Sequence, residues 1–316
     1  MKAVAIENYG GRDQLKVMDL PKPKPAAGEI LVRVRAAGMN PVDVKIREGL
    51  LKDRLPNVFP IILGWDAAGV VEDVGPNAET FKTGSEVFAY CRKPVIQHGT
   101  YAEFVCIPET FAAPKPRNMS FVEAAAVPLA ALTAYQSLHD VAGLGQGQTV
   151  LIHAAAGGVG GFAVQIAKNL GARVIGTASA ANHDYVRGLG ADEVIDYTRQ
   201  DFRDAVTALH RDGVDVAFDT VGGDVQVKSA EVVRKDGVLV SLLAYKNEAD
   251  LQKFGIRTKY HFVAPNADHL RVLAGWAESA KLRVHIAHAL PLDQAARAHE
   301  MIESRHTCGK IVLVVG

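Results

Sequence analysis

The chain has 316 residues, 48% hydrophobic and 22% charged, and its 35 basic and 35 acidic residues leave no net charge. That is the composition of a globular protein of about two domains, and balanced charge gives no reason to expect a nucleic-acid partner. No run approaches the ~18 apolar residues of a membrane span, and three scattered cysteines without a CxxC pair argue against a disulfide framework or a zinc ribbon. Unpaired cysteines suit a reducing cytoplasm. The opening MKAVAIENYG lacks the long apolar core of a signal peptide, so a cytoplasmic location is expected.

In chain order, the first third is β-rich. KAVAIE and EILVRVRAAG alternate apolar and polar residues, as half-buried strands do, and AAGVVEDVG and TYAEFVCIP follow suit. Gly and Pro punctuate them, and LPKPKPAAGE is an extended connector. Near residue 121 the texture turns helical: SFVEAAAVPLAALTAYQSL opens on a Ser120/Glu123 capping box and is interrupted at Pro128. From Thr149 strand and helix alternate strictly. TVLIH, RVIGT, EVIDY, VDVAFDTVG and GVLVSLLAY are the strands, with four helices between them, a pattern that predicts a parallel sheet covered on both faces. After Tyr245 the alternation stops. Helices at DHLRVLAGWAESA and LDQAARAHEMIES precede a last strand, KIVLVVG, too short for a sheet of its own. It is expected to rejoin the β-rich first third. The domains are then 1–121 and 262–316 as one catalytic domain, with 122–261 inserted as a dinucleotide-binding domain.

The strand TVLIH runs straight into AAAGGVGG and a helix. Small residues there let the backbone approach a pyrophosphate, and the helix N-terminus supplies N–H donors. Gly157 and Gly160 take the second and third glycine places of GxGxxG, Ala155 stands at the first, and Gly157, Gly158, Val159 and Gly160 form the expected cradle. A glycine turn used only for packing is the alternative. The second strand ends in VIGTASAANHD without the acid that NAD binders use for the ribose 2′-hydroxyl. Ser179, Asn182 and Tyr197 are candidate partners of a 2′-phosphate, which favours NADP(H), although no Lys or Arg lies between residues 178 and 186.

The chain resembles the medium-chain dehydrogenases/reductases, in their zinc-independent quinone and enone reductase branch. The resemblance spans essentially the whole chain through AAGMNPVDVKIREG, ILGWDAAGVVEDVG, GTYAEFVCIP, AAAVPLAALTAY, HAAAGGVGGFAVQIAKNLGARVIGTAS, LGADEVIDY, FDTVGG and CGKIVLVVG. It implies an α/β fold, a Rossmann doubly wound parallel sheet inserted into a β-rich GroES-like catalytic domain. Zinc members of the superfamily carry Cys where Asn40 stands, and Gly-His-Glu where Gly64-Trp65-Asp66 stands, so no metal is expected. Trp65 would fill the place of a ligand His. Asp66 would keep the acid of that motif and pair with Lys45 or Arg47, or merely accept backbone N–H groups.

The activity implied is NADPH-dependent reduction of a small quinone or α,β-unsaturated carbonyl, with Lys45 tilting the choice toward enones. A catalytically weak nucleotide-binding protein with a structural or regulatory role is the alternative. Asn40 and Lys45 would line the space over the nicotinamide, with Thr133 near it and Val221 and Leu243 beside the ring. The RHTCG stretch, with Gly309 and Lys310, would approach the cofactor. A homodimer is expected, paired through GVLVSLLAY as an apolar sheet edge. HEMIE at 299–303 is not a metal motif and reads as an exposed helix. His153, Cys91 and Cys106 read as packed core residues, and nothing near Cys308 could serve as its base.

Overall fold

The alternating stretches of the first third form antiparallel sheet in the computed structural model, which describes residues 1–304 and 307–316. Arg305 and His306, in the RHTCG stretch, lie outside the described residues. Two units divide the chain: Met1–Leu132 with Ala264–Gly316, and Thr133–Val263. The first division falls after Leu132 and not at the change of texture near residue 121. The reason is packing: Gly38 lies so close to the first helix after that point that a Cβ there would meet the Ala125 carbonyl at 2.2 Å.

In the first unit the elements are β1 (Lys2–Ile6), β2 (Lys16–Asp19), β3 (Glu29–Gly38), α1 (Pro41–Arg47), β4 (Asn57–Ile62), β5 (Asp66–Val74) and β6 (Glu86–Tyr90). Then come β7 (Ile96–His98), β8 (Phe104–Pro108), β9 (Ala112–Pro114), α2 (Phe121–Ala125) and α3 (Pro128–Tyr135), whose residues from Thr133 onward belong to the second unit. The Ser120/Glu123 capping box opens α2, and Pro128, whose missing N–H costs nothing in a first turn, opens α3.

The second unit follows with β10 (Thr149–Ile152), α4 (Gly158–Asn169), β11 (Arg173–Ala178), α5 (His183–Gly188), β12 (Glu193–Asp196) and α6 (Phe202–Leu209). It continues through β13 (Val214–Asp219), α7 (Asp224–Val232), β14 (Val233–Ser241), α8 (Glu248–Gln252) and β15 (Arg257–Tyr260). The chain returns to the first unit with α9 (Ala267–Glu278), β16 (Ile286–Pro291), α10 (Ala295–Glu303) and β17 (Lys310–Val314).

The second unit is a parallel sheet in the order β12-β11-β10-β13-β14-β15. Leu151, Ile175, Ile195, Ala217 and Leu239 from its strands pack with Phe202 and Val206 of α6. The order reverses at β10, and in such sheets ligands bind beyond the strand C-termini at that switch point. A sixth strand, β15, was not legible: RTKY buries only Thr258, so it lacks an apolar pattern. Its presence corrects the expected dimer contact. β14 is paired on both sides, by β13 and β15, and offers no free edge.

The first unit holds a four-stranded sheet, β2-β1-β4-β7, and a seven-stranded one, β16-β17-β3-β5-β6-β9 with β8 also on β3. The last strand does rejoin the first third. β17 runs antiparallel to β3 and parallel to β16, another strand without a clear apolar alternation.

Candidate active site

Strand register builds the polar centre of the first unit. Gly38 of β3 pairs with Asp66 of β5, and Val312 of β17 pairs with the same Gly38. Asn40, two residues beyond Gly38, therefore lies beside both Asp66 and Lys310. All three are buried. Lys310 Nζ donates to Asn40 Oδ1 at 2.5 Å and to the Met39 carbonyl at 2.9 Å. Asn40 Nδ2 donates to Asp66 Oδ2 at 2.8 Å, and Leu129 N donates to Asp66 Oδ1 at 2.7 Å. The ammonium stands 3.9 Å from Asp66 Oδ2.

The cation of Asp66 is thus Lys310, not Lys45 or Arg47. Arg47 is buried but turned to Glu303, Glu48 and the Gly10 carbonyl, with His299 Nδ1 as a further acceptor at 3.2 Å. His299 is consequently inside the unit, and the HEMIE helix presents it inward, contrary to its exposed look in the sequence. Lys45 is exposed on α1, and its ammonium meets no partner among the described residues. Lys310, expected at the cofactor, has its ammonium turned into this cluster, while Gly309 takes a φ of +82° where a Cβ would meet the His285 carbonyl at 2.5 Å.

A second buried acid joins the cluster. Asp43 Oδ2 accepts from Asn40 N at 2.8 Å and from Tyr101 Oη at 3.0 Å. Burial pushes the Asp43 carboxyl up to about 7 and that of Asp66 up to about 6, the latter against the pull of Lys310, Asn40 and Leu129. Burial also pulls the Lys310 ammonium down, opposed by Asp66 and Asp43.

These donors do not fit a zinc ion. The one Lewis-basic side-chain atom of Asn40 already accepts from Lys310, both oxygens of Asp66 accept N–H groups, and Trp65 has no lone pair to offer. Trp65 is buried edge-on to Tyr90, ring centroids 6.1 Å apart. Among the described residues, no group of three or more His, Cys, Asp or Glu is placed to hold a metal.

In the second unit the candidate residues other than Thr133 lie just beyond the C-terminal ends of the strands. Gly157 is the N-cap of α4 with no side-chain cap, which leaves the first-turn N–H groups of Gly158, Val159 and Gly160 available to an anion. A Cβ on Gly160 would meet the Ala154 carbonyl at 2.1 Å, so only glycine allows this approach of helix to turn. Ser179 follows β11 and accepts from Asn182 Nδ2 at 3.2 Å. Tyr197, 58% exposed, follows β12. Val221, 49% exposed, follows β13; Leu243, half-buried, follows β14; Thr133 is buried on α3. The cradle fits a dinucleotide: an uncapped helix N-terminus, a close turn and hydroxyls at the next two strand ends.

One residue of this unit escaped sequence reasoning. Asp219, at the end of β13, accepts from the N–H groups of Val221 and Gly222 and from Ser241 Oγ, while Gln226 Nε2 donates to Ser241 Oγ and the Leu243 carbonyl. It shapes both turns that carry Val221 and Leu243. The signal was present in FDTVGG, an acid closing an apolar strand ahead of two glycines.

Residues 26–117 match the alcohol dehydrogenase GroES-like domain family and residues 189–313 the zinc-binding dehydrogenase family. An NADPH-dependent alkenal/one oxidoreductase of Arabidopsis thaliana chloroplasts is 34% identical over 322 residues, 99% of this chain and 79% of that protein. Two solved structures superpose along the full length of both chains: an NAD-dependent alcohol dehydrogenase at 36% identity and TM-score 0.92, and the Escherichia coli quinone oxidoreductase complexed with NADPH at 31% and 0.90. The chain belongs to the medium-chain dehydrogenase/reductase family, in its quinone and enone oxidoreductase branch.

Proposed function

We propose that this chain is an oxidoreductase that reduces α,β-unsaturated carbonyls and quinones with NADPH. The observation that carries the reading is the uncapped, glycine-lined start of α4 at the switch point of a parallel sheet. The names of the alkenal/one and quinone oxidoreductases to which it is similar support it. NADPH, when bound, supplies hydride to the electrophilic carbon of the acceptor. The N–H groups of Gly158, Val159 and Gly160 hold the pyrophosphate. Ser179, Asn182 and Tyr197 donate to the 2′-phosphate, and Thr133, Val221 and Leu243 border the nicotinamide. The Lys45 ammonium offsets negative charge on the acceptor's carbonyl oxygen. Asn40, its amide held at both ends, is a fixed wall residue that Asp66 and Lys310 position.

The test is nucleotide oxidation against a panel of enones, enals and quinones, with NADPH and NADH compared. Turnover is expected with NADPH and untouched by chelator. Binding should favour NADPH by roughly ten- to a hundredfold, the worth of a charge-assisted hydrogen bond. Equal or tighter NADH binding, or alcohol oxidation as the main activity, overturns the assignment. The assembly we propose is a homodimer through β15, the outer strand, which ends on exposed Tyr260 and is followed by exposed Phe262. The three unpaired cysteines fit the cytoplasm as its location.

A further inference from the structure

Behind the glycine turn lies a residue that is not a glycine and yet has a positive φ. Ala154 sits at +49°, a conformation that a side chain disfavours and that persists only where its surroundings impose it. Both of its backbone groups are engaged. Its carbonyl accepts from Gly157 N at 2.9 Å and is the atom against which Gly160 packs. Its N–H donates to Thr177 Oγ1 at 3.2 Å. Ala154 therefore sets where the cradle starts.

The hydroxyl of Thr177 is fixed in turn by His153, and the direction of each bond can be worked out. Ser229 Oγ donates its single proton to the Val225 carbonyl at 2.6 Å. Toward His153 Nε2, 2.8 Å away, it can only accept, so the imidazole carries its proton on Nε2. Nδ1 is then an acceptor, and Thr177 Oγ1, 3.3 Å away, donates to it. With its proton spent on the ring, Thr177 presents a lone pair to Ala154 N–H. The result is one head-to-tail chain of bonds: Ala154 N–H to Thr177, Thr177 to His153, His153 to Ser229, Ser229 to the Val225 carbonyl. The ring is buried, and Phe202 closes over it edge-on with centroids 4.6 Å apart. Burial holds it neutral, with its pKa lowered to about 4, as the tautomer requires.

We propose that His153 is a positioning residue for the pyrophosphate turn: through Thr177 it imposes the left-handed conformation of Ala154 and so aims the first-turn N–H groups of α4. This rests on the reading of that turn as the NADPH site. Ser229 sets the tautomer, and Thr177 transmits it.

Dissociation constants for NADPH, from fluorescence titration of the purified protein, test the chain of bonds together with melting curves taken without nucleotide. Thr177→Val, which keeps the shape and loses the hydroxyl, should raise Kd about tenfold. Thr177→Ser should return it to within about twofold of wild type. His153→Phe should also raise Kd, and the double variant with Thr177→Val should be no worse than the weaker-binding single one, since both cut one chain. KM for NADPH should rise without a proportionate fall in kcat. If Thr177→Val does not fold, Ser229→Ala replaces it, with a rise of about threefold expected. Variants that melt lower but bind NADPH as wild type does overturn the proposal and leave the chain of bonds a stabilising feature only. Wild-type protein that binds no NADPH overturns the reading of the site, and this inference with it.

Discussion

Lys45 and Lys310 are both lysines of the first unit that the sequence singles out, and they are opposite cases: Lys310 lies in the buried polar centre and Lys45 on the surface of α1. Lys45 is exposed and unpartnered among the described residues, so its loss costs the fold little. Lys45→Ala should lower kcat by up to roughly a hundred- to a thousandfold, the effect of losing a donor aimed at developing charge. Its melting temperature should stay at the wild-type value; wild-type kcat would remove Lys45 from the mechanism. Lys310 is buried with three oxygens around its ammonium. Lys310→Met removes the cation that faces buried Asp66, which should cost ~3–5 kcal/mol in urea unfolding, and adding Asp66→Asn should recover part of it. Additive losses in the double variant would show that the two residues are not coupled. The acid in ILGWDAAG was conspicuous in the sequence, since a lone carboxylate among small apolar residues needs a partner. The identity of that partner was not. Lys310 lies 270 residues from Asn40 along the chain, and only the β3–β17 register brings them together.

At the scale of elements, the legible parts were those with strong periodicity or a specific local device. EILVRVRAAG is β3 to the residue, and the Ser120/Glu123 box opens α2 as its spacing predicts. The five apolar strands of the parallel sheet and the return of the last strand to the β-rich first third were equally plain; that its partner there is β3 was not. β15 and β16 were not, because an outer strand exposed on one face carries no strict apolar code, and neither IAHALP nor RTKY alternates. The α4 start was legible as glycines, but what makes Gly160 obligatory is the approach of the Ala154 carbonyl, a contact that only coordinates reveal. Gly160→Ala should force the helix off the turn. A loss of ~1–3 kcal/mol is expected in thermal or urea unfolding, as for other overpacked sites. NADPH binding should weaken with it, and a variant that keeps both stability and affinity would contradict the close approach.

For the whole molecule, buried ionisable groups set how stability follows pH. Asp43 titrates at about 7 when folded and near 3.8 when free. The native state thus holds a proton that the unfolded chain releases, so this residue's contribution falls as pH rises from about 4 to about 7. His153 and His299 are pulled down from 6.5, to about 4 and about 3, chiefly by burial, and act in the opposite sense: their contribution is complete above 6.5 and is lost as pH falls. Between pH 4 and 6.5 the two effects offset one another. Asp43→Asn removes one side, so its melting temperature relative to wild type should climb by several degrees between pH 4.5 and 7.5. An unchanging difference would mean that Asp43 does not titrate in that range. Sedimentation at micromolar concentration should give a dimer, with a charge placed by Tyr260→Glu on the exposed side of β15 returning it to monomer; a wild-type monomer with full turnover would count against assembly through that edge. The position of β17 has a consequence for how the protein is made. It is synthesised after both of the strands between which it lies in its sheet, β16 and β3. The second unit ends at Val263, whereas the first cannot join β17 to β3 until Lys310–Val314 has been made. A ribosome that has translated only as far as residue 263 therefore carries the complete sequence of a six-stranded sheet, while the backbone of Ala36, Ala37 and Gly38 still waits for the strand that will pair with it.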